Sequence, residues 1–424
     1  MHRKTRKGHA RHRYPRPALW VAGGLAVAAL AWMVVGVPTF VKYPTDLDAS
    51  PRYEGTFSLL VDPFTTAPLE EPIVLPLTVD RHIEAIGDES GSSRVVVQET
   101  IHQVAGDLLD VTQTNQYVMD RSTVENVVDD RAYAFDPDNV VDRSGAYRLN
   151  LPFDTSRDQT YEVYKNEIDG TYELVPDTDD PTTRLEGLEL SNFTTDNDEL
   201  PLGEAYLAEL NETVPLPESM TLDQMKPQLL AAGIDVDALL PALTPVLTPE
   251  DAATLSTFAA EPIPLEYVLS FDGDVAVEPV TGAEIRVSVG ESVGVRPVLT
   301  DLPALQEVLS RYPGVPEAVT TNAALGELAS GPAMPLFQYD YEQTPASVAD
   351  VADTATDMRR QVLLAKVWLP TALAAAAVLT LVVGAVVFQR RRPRPIDMTG
   401  LEEPHPAPRP DKAERELVTA GRDS

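Results

Sequence analysis

The run Val367-Trp-Leu-Pro-Thr-Ala-Leu-Ala-Ala-Ala-Ala-Val-Leu-Thr-Leu-Val-Val-Gly-Ala-Val-Val-Phe388 decides how the chain is laid out, and Gln389-Arg390-Arg391-Arg392-Pro393-Arg394 follows it at once. Its 22 residues hold no charge. They make roughly 33 Å of helix, which matches a hydrocarbon core of roughly 30 Å. Residues 367–388 are therefore expected to span a membrane, with Trp368 at one interface and Arg390, Arg391 and Arg392 anchoring the other. A second apolar run, residues 18–41, contains Trp20 and follows Arg3, Lys4, Arg6, Lys7, Arg11, Arg13 and Arg16, with no acidic residue among the first 17. Both basic flanks lie outside the interval between the runs. The positive-inside rule then predicts a plasma-membrane protein with both termini cytoplasmic and everything between the spans extracytoplasmic. Ala29-x-Ala31 fits a signal-peptidase site, but the apolar run is about ten residues longer than an ordinary signal core, so an uncleaved anchor is expected.

The interval from Tyr43 to Lys366 carries 17 Lys and Arg against 59 Asp and Glu, although the whole chain has a formal charge of −33. Such a surface repels nucleic acid and attracts divalent cations or basic partners at long range; above all it keeps an exported domain soluble. The chain has no cysteine, which excludes thiol nucleophiles, thiolate metal sites and disulfides.

The pattern along the interval predicts an α+β fold: a β-rich exported ectodomain with a helical segment, anchored by an N-terminal and a C-terminal transmembrane helix. Short β-branched and aromatic runs predict strands at 56–61, 73–79, 94–104, 108–119, 161–164, 172–175 and 184–190. The acidic, turn-rich stretch Asp136 to Gly145 reads as a solvated loop; its glycine is misplaced for a calcium loop. Helical signals begin near Leu202. Leu222, Met225, Leu229 and Leu230 share a face ending at Gly233. Thr248-Pro249-Glu250-Asp251 is a capped start, and Leu302, Leu305, Val308 and Leu309 line a helix over 300–312 ending at Pro313-Gly314. Strand signals return over 265–298. Ser347 to Val362 then presents Val348, Val351, Ala352, Ala355, Met358 and Val362 on one face and leads towards the second span, where Pro370 is an expected kink. The partition is thus 1–17 basic tail, 18–41 span, 43–200 β-rich, 201–262 helical, 263–346 β-rich, 347–366 juxtamembrane helix, 367–388 span and 389–424 charged, Pro-rich tail expected to be disordered.

No constellation for catalysis stands out. His82 shares a strand face with Glu84, but no second histidine lies at ligand spacing, and no nucleophile elbow, phosphate loop or dinucleotide fingerprint is present. Neither an enzyme nor a cofactor is expected.

Met119 to Glu125 and Val277 to Glu284 resemble each other, each placing an acid after an extended stretch and then a turn containing Thr. More specific is the series Asp120-Arg121-Ser122-Thr123-x-Glu125, Asp142-Arg143-Ser144-Gly145, Leu151-Pro152-Phe153-Asp154-Thr155, Thr160-Tyr161-x-Val163-Tyr164 and Glu278-Pro279-x-Thr281-Gly282. It resembles the actinobacterial envelope family labelled porin PorA, long catalogued as a domain of unknown function. The resemblance implies an actinobacterial cell-envelope protein and singles out Asp120, Arg121, Thr123, Glu125, Arg143, Gly145, Pro152, Phe153, Tyr161, Thr281 and Gly282, without assigning them a role. A barrel that spans a membrane has no reason to carry two long apolar helices with basic flanks. The expected function is therefore a membrane-tethered ectodomain that binds or conducts a lipid or glycolipid, or scaffolds envelope protein partners. The alternatives are a pore-forming porin and, behind it, a hydrolase of wall glycans or lipids.

Overall fold

A computed structural model describes residues 16–61, 68–214, 216–231, 234–299, 302–312, 315 and 331–390. The basic amino tail, Arg391, Arg392 and the charged tail, Thr300, and the expected helix stops at Gly233 and Pro313-Gly314 lie outside them. Two compact units divide the chain: residues 30–371 contain the sheet, and 1–29 with 372–424 contain the outer ends of the two apolar helices.

Strands from both β-rich stretches join one antiparallel sheet. The first group is β1 (Asp48–Ala49), β2 (Arg52–Val61), β3 (Pro68–Ala85), β4 (Arg94–Ala105), β5 (Leu109–Asp120), β6 (Tyr133–Ala134) and β7 (Asp136–Val140). Next come β8 (Tyr161–Lys165), β9 (Gly170–Pro176), β10 (Thr182–Leu185), β11 (Leu188–Pro201) and β12 (Ser219–Met220). Last are β13 (Ile263–Glu278), β14 (Ala283–Pro297) and β15 (Met334–Gln343). The order β7-β6-β5-β4-β3-β2-β15-β14-β13-β11-β9-β8 seats the last strand β15 against β2, so the sheet completes its middle only when the chain returns to its start. It curls, and one end is bridged: Asn126 pairs with Met119 of β5, and Tyr147 pairs in parallel with Val163 of β8. We call this end the base. The stretch expected as a loop at Asp136 supplies the short edge strand β7, which is exposed along most of its length.

Alternation along each strand sorts the side chains. On β3, Leu77, Val79, Ile83 and Ala85 are buried inside while Asp80, His82 and Glu84 face out. On β2, Tyr53, Phe57 and Val61 point in and Arg52, Glu54 and Thr56 out. These outward positions are hydrophilic, the reverse of a barrel whose strands meet lipid. The main core lies inside the curl and includes α2 (Glu204–Thr213), whose Tyr206 and Leu210 insert among the inward residues of the strands.

A separate small core unites α3 (Leu222–Ala231), α4 (Val236–Leu243), α5 (Pro249–Ala260) and α6 (Leu302–Ser310). Thr248 caps α5 by accepting from Asp251 N, as the sequence predicts. Leu230 is 60% exposed and does not share the buried face of Met225 and Leu229. The helix beginning at Leu222 turns them apart by one position, which is enough to rotate Leu230 into solvent.

Two helices are long and apolar enough to cross a membrane: α1 (Pro17–Phe40) and α7 (Pro345–Arg390). Each contains a wider π turn, at Trp32–Gly36 and Leu364–Trp368, ahead of Pro38 and Pro370. In α7, Leu369 N donates to Leu364 O. The next bond of that register would need an N–H on Pro370, which proline lacks, so the carbonyl of Ala365 is left over. Trp32 Nε1 donates to it at 2.9 Å, tying the two helices together where they leave the sheet unit. Val37, Val41, Phe153, Val280, Met358, Val362 and Ala365 pack around this knot.

Candidate functional site

The interior of the curl is divided into layers. Furthest from the base, Phe57, Val61, Val111, Leu210, Leu336 and Phe337 are among the walls of an apolar recess with a cavity volume of about 90 Å³. The hydroxyl of Tyr267, which also lines it, is already spent on Pro217 O at 2.7 Å. This recess therefore offers almost nothing but hydrocarbon surface.

One layer nearer the base lies a chamber with a cavity volume of about 110 Å³, lined by Arg81, Arg148, Lys165, Glu167, Glu284 and Glu291, with Gln103, Gln113 and tyrosines between them. Strand and helix periodicity stack it under the recess: on α2, Tyr206 lines the chamber and Leu210, one turn on, the recess. Likewise Tyr341 and Tyr339 of β15 serve one each. A third cavity, about 330 Å³, lies between residues 43–51, the base of the sheet and the Ser347 to Met358 face of α7; it shares Tyr53, Arg81, Glu284 and Val287 with the chamber.

The charges of the chamber are organised around Glu99, which is fully buried on β4. Arg81 Nε donates to Glu99 Oε1 at 2.5 Å, Tyr117 OH donates to Oε2 at 2.6 Å, and Arg148 Nη2 lies 3.9 Å from Oε2. Burial pushes the Glu99 carboxyl up, but the two guanidinium groups and the Tyr117 hydrogen bond outweigh it and hold the group down at about 2. Burial, then the Glu99 charge, pushes the Tyr117 phenol up to about 12. Lys165 Nζ lies 2.8 Å from Glu291 Oε1 and 3.6 Å from Glu167 Oε2. Burial raises Glu284 above the usual carboxylate range against the pull of Arg81 and Arg148. Because the folded Glu99 lies below its unfolded value of 4.5, its stabilisation is complete above that pH and is lost as pH falls through about 2. Thermal melting between pH 5 and pH 2 is expected to show a loss on the order of 3 kcal/mol that is absent in Glu99→Gln.

The residues singled out by the sequence motifs mostly build the base. Asp120 Oδ1 accepts from Ser122 N and Thr123 N, and Glu278 Oε2 accepts from Thr281 N and its hydroxyl. In both turns the residue four places after the acid, Val124 or Gly282, has a positive φ and donates back to the acid's carbonyl. The two stretches that look alike in sequence are thus built alike. Glu125 accepts from Tyr147 OH at 3.2 Å, and Gly145 donates to Asn126 O. Arg121 donates to Tyr43 O and Gly91 O. Tyr161 is buried against Tyr147 and Phe193. Pro152 O accepts from Thr155 Oγ1, while Phe153 lies under Lys366 Nζ, 5.7 Å from its ring centre.

Gly282 has φ 75°, and a Cβ there would lie 2.0 Å from Leu151 O. Gly282→Ala is expected to destabilise by at least about 3 kcal/mol in denaturant unfolding, because a left-handed φ and a backbone clash coincide. Of the motif residues only Arg143 reaches the interior network. It is 2% exposed and donates to Gln116 O, Tyr133 O and Asn166 Oδ1, and Asn166 Nδ2 in turn donates to Tyr117 OH. Trp20 and Trp368 are exposed on the apolar helices, and Arg390 closes α7.

Motif matching missed Arg81, Glu99, Arg148, Lys165, Glu167, Glu284 and Glu291. A signal existed: Arg81, Glu99 and Glu291 each occupy an inward register position between apolar neighbours, as in Val97-Gln98-Glu99-Thr100-Ile101. His82 stays on the surface, within 4 Å of Asp48 and Glu84. On the outer face Asp196 pairs with Asp272, while Asp272 and Asp340 flank Gly290; burial and these neighbours raise Asp272. Among the described residues no group of three or more ligating side chains converges as a metal site.

These features define a membrane protein with two apolar helices and a curled antiparallel sheet partitioned within. The chain belongs to the family described as Porin PorA, whose family model matches residues 17–386. No curated protein matches it. Among solved structures, a putative MaoC domain protein dehydratase from Chloroflexus aurantiacus J-10-fl is 13% identical over 77% of this chain and 84% of that one, with a TM-score of 0.13, a likeness that carries no argument.

Proposed function

We propose that this protein is a tethered binding protein of the cell envelope whose sheet interior holds an amphiphile, a lipid or glycolipid, with no catalytic role. One observation carries this reading: an apolar recess stacked on a charged chamber, the two sharing one face of α2. A hydrocarbon tail gains about 25 cal/mol for each Å² it buries in the recess, and a headgroup finds hydrogen-bonding partners one layer below. Both termini are assigned to the cytoplasm and the sheet unit to the outer side, on the basic flanks of the two apolar runs. Native mass spectrometry of the full chain, purified from membranes in nanodiscs, tests the reading. A co-purifying lipid in stoichiometric amount supports it, and a protein that stays empty after incubation with total envelope lipid contradicts it.

The family label favours a second reading, a pore. Against a strand-lined membrane pore stand the hydrophilic outer positions of β2, β15 and the Thr78 to Glu84 half of β3, and the aromatic packing of Phe57, Phe337 and Tyr339 inside. Single-channel steps from the pure protein in planar bilayers would revive it.

A further inference from the structure

The chamber's charge balance speaks to the headgroup, an inference that rests on the amphiphile reading. Its lining cations are Arg81, Arg148 and Lys165. Arg81 is committed to Glu99 at 2.5 Å, Arg148 has the same carboxylate at 3.9 Å, and Lys165 is held between Glu291 and Glu167. Positive charge in excess of the carboxylates is absent from the lining. A phosphate entering here would be buried without a cation of its own, at a cost of several kcal/mol.

What the chamber does leave open is hydrogen-bonding capacity of both kinds. Among the described residues, Arg148 Nε, a donor, and Glu167 Oε2, an acceptor that Lys165 Nζ approaches only to 3.6 Å, are buried without a hydrogen-bond partner. Such groups cost about 1–3 kcal/mol each until something satisfies them. Glu284, raised by burial, adds a carboxylic acid that donates when neutral, and the amides of Gln103 and Gln113 line the same space. A hydroxyl group both donates and accepts, so adjacent hydroxyls can serve Arg148 and Glu167 at once.

We propose that the chamber is the binding site for an uncharged, polyhydroxylated headgroup, a glycosyl group, bound through Arg148 Nε and Glu167 Oε2 in preference to a phosphate-bearing one. The probes are dodecyl glucoside, dodecyl phosphate, dodecyl phosphocholine and dodecanol, which share one tail. Each is titrated calorimetrically into the full chain in nanodiscs, with empty nanodiscs as reference. Dodecyl glucoside is expected to bind at least 10-fold tighter than dodecyl phosphate or dodecyl phosphocholine. Glu167→Gln, which strips Lys165 of one of its two carboxylates, is expected to shift the glucoside-to-phosphate ratio at least 10-fold towards phosphate. If that variant melts lower than the wild type, Glu291→Gln removes the other carboxylate and serves the same comparison. Dodecyl phosphate or phosphocholine binding as tightly as the glucoside, with dodecanol also bound, overturns the headgroup assignment alone. Failure of every probe, dodecanol included, overturns the amphiphile reading beneath it.

Discussion

Replacing Glu99 by alanine is expected to lower the melting temperature of the sheet unit by about 10 °C. Glu99 is the only carboxylate within ion-pair distance of Arg81 and Arg148 among the described residues, and it also accepts from Tyr117 OH. Its removal leaves two buried guanidinium groups uncompensated, which costs about 3–5 kcal/mol when a buried pair loses one partner. For a domain of this size each kcal/mol moves the midpoint by about 2–4 °C. Arg143 stands at the far end of the same network, joined through Asn166 and Tyr117. A double variant, Glu99→Gln with Arg81→Met, removes charge from both partners and is expected to recover most of the loss in differential scanning calorimetry. Equal destabilisation of single and double variants would show that shape, not charge compensation, sets the cost.

Filling the apolar recess is the second large effect. Val214, at the end of α2, lines the recess and is only half-buried, so Val214→Trp adds bulk there without deleting core contacts. Binding of dodecanol is expected to weaken at least 10-fold while the melting temperature changes by less than about 2 °C, since surface-side substitutions usually stay within about 0.5 kcal/mol. A polar substitution on the outer face of β2, such as Thr56→Ser, serves as the neutral reference. Unchanged dodecanol affinity in Val214→Trp would place the tail elsewhere.

The two apolar helices were the most legible part of the chain, because a long uncharged run and a flank of arginines stand in linear order. Strands were legible where alternation was clean, as in Arg94 to Met119, where β4 and β5 pair along their whole lengths. The pairing of β15 with β2 was not legible, because it joins residues nearly three hundred positions apart and no local pattern encodes a partner. Nor was the role of α2. The sequence signals only that helix begins near Leu202, and it is the curl of the sheet that makes the Tyr206 and Leu210 face part of its interior. The motif residues drew attention to the base because a left-handed Gly282 and an acid-capped turn leave strong local signatures. The charged chamber leaves a fainter one, a single charge at an inward position of an apolar strand, as at Arg81 and Glu291.

The central claim is that a hydrocarbon tail occupies the recess inside the sheet, and photo-crosslinking tests it most directly. A dodecyl glucoside carrying a terminal diazirine, bound to the full chain in nanodiscs and activated by light, is expected to label Leu210, Leu336 or Phe337, as read by peptide mass spectrometry. Labelling confined to Pro17–Phe40 and Leu369–Arg390, with the recess residues unmodified, would contradict it.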